Sequence, residues 1–179
     1  MKRLIELALR IDRFNDRVAS VAKWSIAAAC AISASNAAIR YGFNFSSNAF
    51  LEIQWYLFAV CVMFGTAQVL RVNEHVRVDI LYNLYPSKAK VWVDIMGMCL
   101  FLMPMCLLII WLILPLVTQQ FLTGETSSNA GGLIRWPVTA TVPLGLGLLA
   151  LQGTSEIIKR VGWLMHAYEM DTHYERPLQ

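Results

Sequence analysis

Histidine and cysteine are the residue types in this chain best suited to redox or metal chemistry, and their positions decide what they can do. His75, His166 and His173 all lie outside the long apolar stretches. A haem in a helical bundle needs histidines facing one another within it, so these three do not suit one. Cys30, Cys61, Cys99 and Cys106 fall inside apolar stretches, and none belongs to a Cys-x-x-Cys pair. They read as small packing residues, neither a zinc site nor a redox disulfide. No glycine-rich phosphate loop or nucleophile elbow is present. The sequence therefore offers no catalytic, metal or cofactor-binding constellation, and an enzyme is not expected.

Transport by the chain alone is also hard to build from these residues. Ionisable groups within a membrane usually mark an ion or substrate route, and the apolar stretches hold essentially none. They hold amides instead: Asn36, Gln68, Gln119, Gln120 and Gln152. Such groups hydrogen-bond across neighbouring helices, for roughly 0.6 to 2 kcal/mol each. Pro104 and Pro115 have no accompanying charge and read as kinks. The inverted repeats of a transporter core would need more chain than this.

The elements that must position these residues follow from composition. The chain is 57% hydrophobic and only 15% charged, more apolar than one soluble domain of 179 residues hides. Residues 24–39, 53–70, 95–124 and 136–155 contain no Asp, Glu, Lys or Arg. A bilayer core about 30 Å thick needs roughly 20 helical residues at about 1.5 Å each. With their flanks, all four stretches qualify, and a buried core in a soluble protein is the weaker alternative. The expected spans are 18–39, 52–70, 93–121 and 136–157.

Thirteen of the 15 Lys and Arg residues lie before or at the start of the first span, between the second and third, or after the fourth. Only Arg40 and Arg135 sit in the other connections. The positive-inside rule then places both termini in the cytoplasm. Basic residues facing anionic lipid account for the net charge of +3 without a nucleic-acid partner. The small residues 34–38 follow an apolar run as a signal-peptide site would, but Glu6, Asp12 and Asp16 precede it, and a retained span is expected.

The fold class is thus an all-α membrane protein: four transmembrane helices in one domain, N-in and C-in. Residues 2–17 carry Leu4, Leu7, Ala8, Ile11 and Phe14 at helical spacing, with Arg3, Glu6, Arg10, Arg13 and Arg17 on the other face. They are expected to form an amphipathic helix on the lipid surface, with docking on a partner subunit as the alternative. Trp55 and Trp92 suit the headgroup boundary. Residues 79–85 are expected to form a short cytoplasmic surface helix before Pro86, and residues 166–179 a polar tail.

The order of landmarks then carries a resemblance. Asn36, Arg40, Tyr41 and Phe43 end the first span; Glu52, Tyr56, Phe58 and Gly65 run through the second; Arg71, His75, Arg77, Val78 and Asp79 form the inner loop. Pro86, Pro137, Pro143, Leu144 and Gly145 follow in order. Over residues 18–160 this resembles the small membrane subunit, DctQ type, of a TRAP transporter. His75-Val-Arg-Val-Asp79 is the most specific piece. Ala49 and Leu51 stand where the family often has a Trp and a second Glu, leaving Glu52 alone.

The resemblance implies a three-part system in a bacterial inner membrane. A periplasmic substrate-binding protein captures an organic acid, and a large DctM-type subunit moves it inward, elevator fashion, on a sodium gradient. The small subunit braces the stationary scaffold. Arg40, Glu52, Trp55, Arg71, His75, Arg77, Asp79, Trp92 and Pro137 are the candidate residues for subunit contact or membrane anchoring. The partners implied are the two other components and membrane lipid. The rival readings are a small four-helix electron-transfer or redox subunit and a self-assembling channel.

Overall fold

The computed structural model describes residues 1–45, 47–73 and 85–170. It is helical throughout, and the described residues contain no strand, only an isolated bridge between Thr126 and Ile134. Four helices are long and apolar enough to cross a membrane: α1 (Lys2–Phe43), α2 (Asn48–Val72), α3 (Ser87–Thr123) and α4 (Trp136–Leu164). The surface helix expected over 79–85 falls, up to residue 84, outside the described residues, as does the tail from residue 171.

The helix ends follow from local chemistry. Asn44 closes α1 and Asn73 closes α2, both in the left-handed region where a short polar side chain is tolerated. Ser47 caps α2, its hydroxyl accepting from the Ala49 N–H at 3.3 Å. Pro86 precedes the first turn of α3, and Gly124, at φ 62°, ends it. Within α3, Pro104 has no N–H to donate to Leu100, and its ring crowds that carbonyl. The backbone widens just upstream into a π turn over Met98–Leu102, in which the Met103 N–H reaches the Met98 carbonyl.

Residues 2–43 form a single helix with no break between the amphipathic segment and the span. At about 1.5 Å per residue its 42 residues measure about 63 Å, roughly twice the hydrocarbon thickness. It therefore extends past the apolar core at the end of the bundle that carries both termini. The last turns of α4 and the first turns of α3 extend there too.

Helices α1, α2 and α4 pack against one another as a triangle, whereas α3 packs chiefly on α4. The fourth helix is thus the common neighbour of the other three. Close approach explains its composition, because lipid supplies no hydrophobic drive between helices and van der Waals contact must serve. A Cβ on Gly145 would lie 2.5 Å from the Met63 carbonyl oxygen of α2. On Gly153 it would lie 2.7 Å from Leu102, so the π turn of α3 seats against a glycine. Gly147, two residues from Gly145, faces open space.

Gly145→Ala is expected to cost about 1–3 kcal/mol by forcing two backbones apart. Gly147→Ala is expected to be neutral. Thermal unfolding in detergent separates the two, and equal behaviour would contradict this packing.

Candidate functional site

Polar side chains gather at the two ends of the bundle. At the hairpin end, Glu52 in the second turn of α2 is only 3% exposed. One of its carboxylate oxygens accepts from the Asn129 amide at 2.8 Å, the other from the Leu133 N–H at 2.7 Å. Tyr56, one turn on, donates its hydroxyl to the Ile134 carbonyl at 2.9 Å, and the Asn48 amide reaches Ala130. The loop between α3 and α4 closes on itself as well, with Ser127 N–H to Leu133 and Arg135 N–H to Glu125, both at 2.9 Å. Phe121 and Trp136 meet edge to face across its base, ring centroids 5.3 Å apart. Glu52 thus shapes the loop from beneath and presents no free carboxylate at the surface.

At the termini end a larger cluster lies between helices. Asp12 of α1 accepts from Ser155 at 2.7 Å, Gln152 at 2.8 Å and Lys159 at 2.9 Å, all on α4. Lys159 also pairs with Glu156, which in turn pairs with Arg160. Arg160 reaches across to Asp94 of α3 at 3.1 Å. Asn15, one turn after Asp12, donates to Gln152 at 2.8 Å. Asp12, Glu156, Lys159 and Arg160 are each less than one-tenth exposed. Beside this core, Arg71 of α2 pairs with Asp16 of α1 at 2.8 Å. Side chains from all four helices therefore meet at this end.

Helix periodicity explains why these groups coincide. Asp12 and Asn15 lie on one face of α1 with Ala8 and Ala19, residues small enough to let α4 approach. On α4, Gln152, Glu156 and Arg160 are four apart, and Ser155 and Lys159 form an adjacent row. Charges this deeply placed persist only because each is paired. Chemically, the arrangement is a fastening, in which acid and base satisfy one another across helices.

The model of the family described as tripartite ATP-independent periplasmic transporters, DctQ component, matches residues 29–162. The chain belongs to the DctQ family. No curated protein and no solved structure matches it. As a DctQ chain it is a small membrane subunit of a tripartite transporter, multi-pass and built on four apolar helices. The match takes in Glu52, Asp94 and the charged end of α4, but begins 17 residues after Asp12.

The structure treats the sequence-derived candidates unequally. Glu52 and Arg71 are engaged within the chain, as described. Arg40, Trp55, Trp92 and Pro137 are exposed on four different helices and are not brought together. His75, Arg77 and Asp79 lie outside the described residues. Of the five amides expected to bridge helices, Gln152 does so, whereas the buried Gln120 side-chain oxygen has no donor within the described chain.

Sequence reasoning missed Asp12, Asn15, Asp94, Glu156, Lys159 and Arg160 as a unit. The available signals were the Glu156-to-Arg160 spacing and a small-and-polar stripe on α1, overshadowed by the apolar stripe beside it.

Lys159→Ala is expected to destabilise the protein by about 3–5 kcal/mol, since it strands Asp12 and Glu156 without their cation. Asp12→Leu combined with Lys159→Met removes charge from both sides and is expected to recover much of that loss. Thermal unfolding of both variants in detergent checks the sign of the coupling.

Proposed function

We propose that this DctQ chain is the stationary brace of a sodium-coupled, binding-protein-dependent importer of organic acids. Both termini would lie in the cytoplasm and the α3–α4 loop on the periplasmic face of a bacterial inner membrane. Thirteen of 15 basic residues on the termini side support that orientation. The large membrane subunit would carry substrate and sodium, and the soluble receptor would select the acid.

The observation that carries this reading is the division of polarity along the bundle. Ionic and hydrogen-bonded groups fasten helices at the ends, while the middle is apolar and held by backbone approach at Gly145. Such a bundle resists internal sliding and offers no polar pathway of its own. Helix α3, packed chiefly on α4, meanwhile turns Leu100, Phe101, Leu107, Leu108, Trp111 and Leu112 outward as a surface for lipid or the large subunit.

Reconstitution tests it. Proteoliposomes holding the large subunit and this chain, supplied with receptor and an inward sodium gradient, are expected to accumulate the organic acid. Omitting this chain is expected to reduce uptake to background, and this chain alone is expected to pass neither sodium nor substrate. Full uptake without it, or conduction by it alone, would overturn the proposal.

A further inference from the structure

The extension of α1 carries two adjacent stripes, each with three–four spacing. Ile5, Ala8, Asp12, Asn15, Ala19 and Ala22 are buried within the bundle. One residue earlier in register run Leu4, Leu7, Ile11, Phe14, Val18 and Val21, wholly apolar over almost three heptads. Most of this second stripe faces away from the bundle: Leu4 and Leu7 are 48% exposed, Phe14 52% and Val21 72%, while Ile11 and Val18 are half-buried. The polar stripe is turned inward by Asp12 and Asn15 at their partners on α4, and the apolar stripe is thereby held outward.

Strict three–four alternation is the pattern of a coiled-coil seam, in which apolar positions interdigitate with a second helix. Assigning Leu4, Ile11 and Val18 to position a and Leu7, Phe14 and Val21 to position d makes every g position an arginine: Arg3, Arg10 and Arg17. All three are exposed and form no ion pair with a described residue. The e positions on the other flank, Ala8, Asn15 and Ala22, are buried within the bundle. One flank of the seam is thus occupied, and the other is uniformly cationic.

We infer that this seam is a docking surface for an acidic-flanked amphipathic helix of the transporter's large membrane subunit. Three features favour a helix over a lipid surface. The apolar positions keep the narrow two-in-seven spacing, and the arginines keep a single heptad position. In addition, α1 is unbroken from Lys2 to Phe43, so the extension has no bend with which to lie flat on the membrane. A second copy of this chain is disfavoured by charge. An antiparallel pair would oppose arginine to arginine, and a parallel pair would face them with flanks already buried against α4. The seam also lies ahead of residue 29, where the family match begins.

The inference rests on the bracing role proposed above, and site-specific photo-crosslinking in the intact complex tests both separately. A photoreactive amino acid at Leu7 or Phe14, in cells expressing all transporter components, is expected to yield an adduct with the large subunit. At Lys2 or Ser20, off the seam, none is expected. Arg3→Glu, Arg10→Glu and Arg17→Glu together are expected to abolish the adduct, and Arg13→Glu alone to retain it. Adducts only with lipid, adducts only between copies of this chain, or no adduct would overturn the seam while co-purification left the brace standing. Loss of co-purification of the unsubstituted chain would sink both.

Discussion

Burying Lys159 and Arg160 beside the carboxylates of Asp12, Asp94 and Glu156 is tolerable only while the helices that supply them remain together. Each partner left alone would be an uncompensated charge in a poorly hydrated place, so the cluster acts jointly on α1, α3 and α4. The need for it follows from length. A helix of about 63 Å cannot be held by lipid along its whole course, and beyond the apolar core something other than bilayer exclusion must fix its direction. The ionic cluster sits where that need arises.

The same logic, in milder form, orders the opposite end. There the chain must turn twice between helices, and a free loop would leave backbone groups dependent on water. Glu52 supplies two acceptors from beneath the α3–α4 loop, and Tyr56 and Asn48 extend the contact along α2. Between the two ends no charge is needed, and glycine lets backbones meet directly. A bundle organised in this way concentrates its polar contacts at the two ends. That arrangement suits the stationary brace proposed above.

Much of this was legible in the residues, for reasons tied to solvent. The four spans announce themselves because lipid tolerates charge so poorly that 95–124 contains none. Glu52 stood out as a carboxylate at a span boundary, although its attachment to the neighbouring loop depends on tertiary approach. The ionic cluster was harder to see. Asp12 and Lys159 are separated by most of the chain, and the apolar stripe at Leu4, Leu7 and Phe14 suggested which face of the first helix would be covered. The structure covers the adjacent face, because α4 offers complementary polar groups there and a lone apolar stripe has no equivalent partner within the chain. The continuity of α1 across residues 17–24 was likewise hidden, since charges at its start read as a separate surface helix.

In the proposed brace, α4 holds its neighbours in fixed relation while the transporter works. Helices α1 and α3 are joined chiefly through α4, so a distance between them reports on it directly. Spin labels at Arg13→Cys on α1 and Trp92→Cys on α3, in an otherwise cysteine-free chain within the assembled transporter, allow that distance to be measured by pulsed electron resonance. One distance distribution, unchanged by sodium and substrate, is expected. A second population, or a shift appearing when they are added, would contradict it.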